Sequence, residues 1–542
     1  MRKNYKVILI KIFPFLKTIK NNLDMRLNNF LYKKISKRTR KSYESAIQWL
    51  KNNLITNIQV SSGSKQETLY NGIRGIIIPT LYKWGEKKLA RELSSQLIYN
   101  QNENGSFSGK DGYPSLFVTG QVLRGLLKSL DDVPDAKNSV INLCNWILKQ
   151  IDNDGRFITH SSPSEKIYDN KNIYVLPPLY KAGIKLNNSE YIQTANKVLK
   201  YYKSKEDLVS LNMLSQFNAY VWDALYDLGE KKLVLGLMQN VVDLQGKNGA
   251  IPEYHDNRLS YLIDMAQIAL IGYKLGMIDF SDKIINFLIK NQNKNGGFFG
   301  VSNNGNMEEK VIQCVKYYLD AYYWKQKTSF NLVVTDFPNY IEEGDGRLLT
   351  ILEFFGDLNN KKVIDIGCGK GRYLRVLDSK FSNAELYGVD ISEEMLLHCP
   401  EKAITQSGTL LNIGYPDEYF DFVYCVEALE HALRIEPAVK EITRILKKEG
   451  KIIVIDKNVN KLGKKKLESW ENWFEPEKLL NILKENNIEI DFKPITYDNH
   501  SKPDGLFYAW FGKKLSLLLL LLKFYNWGIE QSEFSEMLLS IC

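Results

Sequence analysis

Residues Lys362-Val-Ile-Asp-Ile-Gly-Cys-Gly-Lys-Gly371 decide how the second half of this 542-residue chain is read. Val363, Ile364 and Ile366 make a short apolar strand. Gly367, Gly369 and Gly371 follow at alternate positions, before a helix expected over Arg372–Ser379. Glycines at such a turn let the backbone approach a ligand closely, where any Cβ would collide. A glycine-rich loop alone is equally compatible with a dinucleotide-binding fold. Asp365 weighs against that reading, since a carboxylate just before the loop would repel a pyrophosphate.

The neighbouring segments add three landmarks in order. Ala384-Glu-Leu-Tyr-Gly-Val-Asp390 reads as a second strand, ending in an acid 25 residues after Asp365. Tyr415-Pro-Asp-Glu-Tyr-Phe-Asp-Phe-Val-Tyr-Cys-Val-Glu-Ala-Leu-Glu-His431 follows. Glu441-Ile-Thr-Arg-Ile-Leu-Lys-Lys-Glu-Gly450 then leads into a strand over Lys451–Asp456. Together these resemble the class I S-adenosylmethionine-dependent methyltransferases, in particular the small-molecule "type 11" kind with its Asp/Glu-x-Gly-x-Gly-x-Gly loop.

The resemblance implies a Rossmann-like α/β domain with a seven-stranded, mostly parallel sheet covered by helices on both faces. It implies S-adenosyl-L-methionine as cofactor. Asp365, Gly367, Gly369 and Gly371 would hold its amino-acid end, and Asp390, followed by Ile391, would accept from the ribose hydroxyls. Asp390 could otherwise serve as a helix cap before Ser392-Glu-Glu394. Thr409 and Leu410 would face the adenine, and Glu427 would complete the cofactor set. The chain departs from the family at two points: Gly408-Thr-Leu410 replaces the common Gly-Asp-Ala step, and Glu449 replaces a glycine before Gly450.

Methyl transfer from an activated sulfonium asks mainly for positioning. A hydroxyl acceptor would also need a general base. His431 and His500 are the candidates, with Glu427 and Asp456 behind them; His431 could equally be structural. The six cysteines and five histidines are dispersed, with no CxxC pair, so no metal site is expected and a reducing compartment fits.

The first half repeats. Gly105, Gly155, Gly249 and Gly296 sit in related polar turns such as Asn100-Gln-Asn-Glu-Asn-Gly-Ser-Phe107 and Asn291-Gln-Asn-Lys-Asn-Gly-Gly-Phe298. Their spacings of 50, 94 and 47 leave room for one degenerate turn near Lys203–Asp207. Leu81-Tyr-Lys-Trp-Gly85, Leu179-Tyr-Lys-Ala-Gly183, Leu225-Tyr-Asp-Leu-Gly229 and Gly272-Tyr-Lys-Leu-Gly276 recur in step, each expected to end a helix at its glycine. About six helical hairpins fit between residues 43 and 326, either as an open solenoid or as a closed ring. The turns resemble those of the α/α-toroid superfamily of terpenoid cyclases, prenyltransferase β-subunits and glycan-processing enzymes. That resemblance speaks to architecture and hardly to activity.

Asp131-Asp-Val-Pro-Asp135 satisfies the DDxxD pattern, but Pro134 and a linker position argue against terpene ionisation. The polar residues Tyr168, Asp169, Asn170, Gln216, Asn218, Glu253, Tyr254, His255, Asp256 and Arg258 could be helix caps, or could line a mouth that binds carbohydrate.

Charge is uneven. Residues 1–51 hold 14 Lys/Arg against Asp24 and Glu44, so the remaining chain is about −3 of the total +9. A basic nucleic-acid groove on the folded body is therefore not indicated. The expected organisation is a basic arm (1–42), an α/α-toroid-like repeat domain (43–327) and a methyltransferase domain (336–542), joined by a short link at Thr328–Tyr340. No segment reads as a spanning helix; the leucine run Leu517–Leu522 is too short. A cytoplasmic protein is expected, with peripheral membrane contact through the arm. The expected acceptor is a small molecule, glycan or glycolipid held with the help of the α domain. That domain could instead be a separate epimerase- or lyase-like enzyme, or a scaffold.

Overall fold

A computed structural model describes residues 37–55, 70–109, 112–158, 169–204, 216–252, 262–298, 307–458, 461, 471, 474–496 and 505–516. His500, the 253–258 cluster, Tyr168, the leucine run and all but the last residues of the basic arm lie outside them. The chain divides into two compact units, one over Thr39–Leu332 and one beginning at Val333.

The first unit is all helical. It comprises α1 (37–55), α2 (Asn71–Lys83), α3 (Lys87–Tyr99), α4 (Leu116–Leu126), α5 (Ala136–Leu148), α6 (Leu176–Lys185), α7 (Ser189–Lys203), α8 (Gln216–Asp227), α9 (Lys231–Val242), α10 (Leu262–Lys274), α11 (Ile278–Lys290) and α12 (Met307–Leu332). Thr328 and its neighbours, read above as a link, are the last turn of α12. Burial sorts the helices into two layers. α2, α4 and α10 are buried around nearly their whole circumference, whereas α3, α5, α7 and α11 bury one stripe. A helix apolar all round belongs inside, and an amphipathic one covers it. Each inner helix touches the next, through the 3-10 turn Asp169–Val175 between α4 and α8, and α12 touches α2.

The repeated turns obey one geometry. In each, the glycine N–H donates three residues back: Gly105 to Asn102 at 2.8 Å, Gly155 to Asp152 at 3.1 Å, Gly249 to Gly246 at 2.9 Å and Gly296 to Asn293 at 3.0 Å. All four glycines have φ near +90°. A Cβ on Gly249 would lie 2.2 Å from the Lys283 carbonyl in α11, and one on Gly296 would lie 2.0 Å from the Ser45 carbonyl in α1. The last turn therefore seats on the first helix. Ser42 Oγ donates to Gln292 Oε1 at 2.6 Å, and the Tyr43 ring packs at a tilt 4.6 Å from that of Tyr322.

The second recurrent element holds three times out of four. Gly85, Gly229 and Gly276 end their helices with positive φ. Gly183 does not: it lies inside α6, and the left-handed residue is Asn187 at φ 54°. At Gly183 a Cβ would lie 2.5 Å from Ile192 Cγ1, so close helix approach requires the glycine there.

The second unit is a seven-stranded sheet with α13 (Gly346–Phe355), α14 (Arg372–Lys380), α15 (Glu393–Leu396), α16 (Ile435–Ile445) and α17 (Pro476–Glu485). The strands are β1 (Lys362–Ile366), β2 (Glu385–Asp390), β3 (Ile404–Ser407), β4 (Phe420–Val426), β5 (Leu446–Lys457), β6 (Ile488–Ile495) and β7 (Phe507–Lys514). Their order is β3-β2-β1-β4-β5-β7-β6, with β7 antiparallel to both neighbours and all other pairs parallel. Strand order reverses between β1 and β4, which pair in register from Val363–Phe422 to Ile366–Cys425. In such sheets the ligand crevice opens at the carboxyl ends of the strands beside the reversal.

Candidate active site

Four of the predicted segments leave the sheet at that crevice, from the carboxyl ends of β1, β2, β3 and β4. The first is the loop after β1. Gly367 and Cys368 donate backbone N–H to Val389 O at 2.8 and 3.1 Å, which ties the loop to β2. Gly367, Gly369 and Gly371 all have positive φ, but for different steric reasons. A Cβ on Gly367 would lie 2.3 Å from Ala428 Cβ, and one on Gly371 would lie 2.9 Å from Pro400 Cδ. A Cβ on Gly369 would meet nothing within 4 Å, so this glycine faces open space. A Cβ at either outer glycine would thus meet the protein, whereas the Cβ side of Gly369 is open.

Asp390 ends β2 and accepts from Gly369 N at 2.9 Å and from Ser392 N at 2.8 Å. The cap of α15 is Ser392, whose hydroxyl accepts from Met395 N at 3.1 Å, so the helix-cap reading of Asp390 is corrected. Ile391 beside it is half-buried. Burial raises the Asp390 carboxyl above its ordinary range, against the pull of its N–H donors. Gly408 N donates to Asp390 O at 2.9 Å and brings the next turn alongside. In that turn Thr409 is buried, its hydroxyl accepts from Leu411 N at 3.1 Å, and Leu410 is half-buried.

Asp365 is 2% exposed, and among the described residues its Oδ2 has no hydrogen-bond partner. Burial pushes its carboxyl up to about 8. Glu427, after β4, adopts φ 50° and donates its N–H to Ile455 O at 2.7 Å. Its carboxylate pairs with Arg347, whose guanidinium also meets Asp345 Oδ2 at 2.7 Å. Arg347 lies in the first turn of α13 and was missed by sequence reasoning, because nothing local marks an arginine whose partner is 80 residues away.

His431 ends a 3-10 turn, Leu429–His431, with Nε2 3.4 Å from Glu430 Oε1. Burial, helped by the Lys457 ammonium, pushes the imidazole down to about 3. An imidazole so hard to protonate is poorly matched to proton abstraction near neutral pH. Glu430, His431 and Glu471 bring ligand atoms within 4.8 Å of one another. Lys457 Nζ sits among them, 2.6 Å from Glu430 and 2.8 Å from Glu471, so the charge of the acids is met by an ammonium. Asp456 accepts from Glu430 N at 2.9 Å, and burial raises it to about 6.

A family model described as "Methyltransferase domain" matches residues 364–454. An uncharacterized protein of Methanocaldococcus jannaschii is 32% identical over 173 residues, 30% of this chain and 72% of the relative. An uncharacterized methyltransferase of Bacillus subtilis is 28% identical over 171 residues, 27% of this chain and 65% of its own length. The crystal structure of a Bacillus subtilis protein of the same designation aligns at 20% identity, over 31% of this chain and 98% of that one, with a TM-score of 0.27. The chloroplastic tocopherol O-methyltransferase of Arabidopsis thaliana is 27% identical over 169 residues, 26% of this chain and 48% of the relative.

The site fits S-adenosylmethionine on its own geometry. The buried, unpartnered Asp365 oxygen is suited to a cationic amino group, the face of Gly369 is open, and Asp390 retains acceptor capacity beyond its two N–H donors. Through its C-terminal unit the chain belongs to the S-adenosylmethionine-dependent methyltransferases.

Proposed function

We propose that the acceptor is a glycan or glycolipid bound by the helical unit, and that this unit is a closed α/α toroid of six hairpins. The observation that carries the reading is the closure of the inner layer: α12 touches α2, and the last turn packs on α1. Aromatic rings and charged groups share that inner layer. Tyr174 and Tyr220 pack 4.8 Å apart, and Lys274 lies 5.1 Å from the Trp324 ring. Sugars are held by such pairings of aromatic faces with dense hydrogen-bonding groups.

When bound, the cofactor supplies an already activated methyl group. The protein contributes position: Asp390 for the ribose, Asp365 for the amino-acid end, and Thr409 with Leu410 beside the adenine. For a hydroxyl acceptor, Asp456 lies nearer than His431 to the protonation range a base requires. His500 is the other histidine of this reading. The basic arm would bring the protein to anionic lipid from the cytoplasmic side. Among the described residues no helix is long and apolar enough to cross a membrane.

Methyl transfer from radiolabelled cofactor into cell-envelope glycan extracts tests the reading, with Trp324→Ala as comparison. Glycan labelling that falls severalfold in the variant is the expected result. Labelling confined to lipid without sugar would favour an apolar acceptor instead, of the kind that the tocopherol O-methyltransferase relative is named for.

A further inference from the structure

Arg124, in the last turn of α4, spends one nitrogen on the protein and withholds two. Its Nη1 donates to Asp227 Oδ2 at 3.0 Å, and its guanidinium lies 4.2 Å from the centre of the Tyr174 ring. Nε and Nη2 are buried and have no acceptor among the described residues. Those two nitrogens form the side edge of the guanidinium, with parallel N–H bonds spaced to meet both oxygens of one carboxylate or phosphate. Burying two such donors without acceptors is costly, and a native structure rarely tolerates it without a reason.

The surroundings carry excess positive charge. Lys274 Nζ is 2.6 Å from Asp223 and 2.7 Å from Asp227, which Arg124 shares. Asp320 is shared in the same way by Lys83 at 3.0 Å and Lys316 at 3.1 Å. Lys181 is close enough to Asp227, Arg124 and Lys274 to feel each of them. Among the described residues, five cations thus face three carboxylates. Lys128 and Lys185, at the margin, are matched by Asp131 and Asp132. Lys181 is an exposed side chain whose ammonium is nevertheless lowered by desolvation. Tyr174, Tyr226, Tyr323 and Trp324 bring rings to the same cations.

We propose that the Nε/Nη2 edge of Arg124, backed by Lys181 and Lys274, is an oxyanion subsite inside the helical unit, where it holds the carboxylate or phosphate of an acidic saccharide. The proposal rests on the acceptor reading above for its biological ligand, but the subsite itself is defined by Arg124. Lys274 sets the charge of the subsite and fixes Asp227, which in turn orients the guanidinium.

The test uses the full-length protein, with glucuronic acid and inorganic phosphate as probes and glucose as the neutral control, followed by tryptophan fluorescence and calorimetry. Wild type is expected to bind at least one anionic probe, more weakly as salt is raised, and to ignore glucose. Arg124→Lys keeps the charge beside Asp227 but loses the paired edge, and should bind at least tenfold more weakly with an unchanged melting temperature. If that variant does not fold, Lys181→Met, at an exposed position, should still bind at least threefold more weakly. Preference for glucuronate or for phosphate identifies which oxyanion is held. Absence of binding to both probes at millimolar concentration overturns the proposal, as does unchanged binding in the folded Arg124→Lys protein or, failing that, in Lys181→Met. Arg124-dependent binding without glycan methylation would remove the acceptor reading and leave the subsite. Glycan methylation with Arg124-independent binding would do the reverse.

Discussion

The backbone N–H of Gly369 donates to Asp390 Oδ2 at 2.9 Å, so the glycine loop and the acid at the end of β2 are one assembly before any ligand arrives. Asp390→Ala removes the loop's anchor together with the proposed acceptor of the ribose hydroxyls. Affinity for S-adenosylmethionine should fall by about 1.5–3 kcal/mol, the range for hydrogen bonds to a charged group. Calorimetry on the full-length protein checks this, and unchanged affinity would remove Asp390 from the site.

The three loop glycines should separate by mechanism. Gly367→Ala drives a Cβ to within 2.3 Å of Ala428 Cβ and should lower the melting temperature of the methyltransferase unit. Adding Ala428→Gly should recover most of that loss, leaving the left-handed strain of about 1–2 kcal/mol. Gly369→Ala, which meets no protein atom, should carry only the strain in stability yet weaken cofactor binding. Thermal melts with and without cofactor distinguish the two.

Cofactor affinity should rise with pH. Burial holds the Asp365 carboxyl at about 8, so it is mostly protonated at pH 6, whereas only the carboxylate attracts a cationic amino group. Affinity should climb toward tenfold per unit well below pH 8 and level off where the ligand's α-amino group itself titrates, about 7.7–8.0. The stability sign is opposite. A carboxyl raised in the folded state contributes stability that is fully present below about pH 4 and lost as pH climbs through about 8. Asp365→Asn should flatten both slopes, as titrations at several pH values would reveal.

Arg347 joins Asp345 to Glu427 from a side chain only 5% exposed. Arg347→Met leaves two carboxylates without their cation, and removing one partner of a buried pair typically costs about 3–5 kcal/mol. Glu427 is 20% exposed, so the lower end of that range is expected in urea unfolding.

The helical unit offers a matched pair of glycine substitutions. Gly296→Ala places a Cβ 2.0 Å from the Ser45 carbonyl, whereas Gly229→Ala meets nothing within 4 Å, and both glycines have φ above 90°. Gly296→Ala should therefore destabilise the unit by clearly more than the ~1–2 kcal/mol of left-handed strain expected for Gly229→Ala. Equal losses would mean that α1 does not seat on the last turn.

Legibility from sequence followed the range of the interaction. The loop after β1, the acid of β2 and the polar helical turns are local: a few adjacent residues carry both the signal and the geometry. Gly183 deceived because the same Tyr-x-x-Gly string serves a close helix crossing in one repeat and a helix stop in the others. Arg347, Lys457 and Arg124 could not be read, since each takes its meaning from acids 80, 14 to 27, or 103 positions away. The glycine pattern of the loop was legible, whereas which glycine faces open space depended on Ala428 and Pro400 arriving from other elements.

The seating of the last turn on α1 also governs how the chain can be made. Ser42 finds Gln292 only 250 residues later, and Tyr318 only 276 later. At about 5–20 residues per second, α1 must wait roughly 12–50 s on the ribosome before its partners in the last hairpin exist. The contacts between the first helix and the last hairpin thus form only after nearly the whole helical unit has been made.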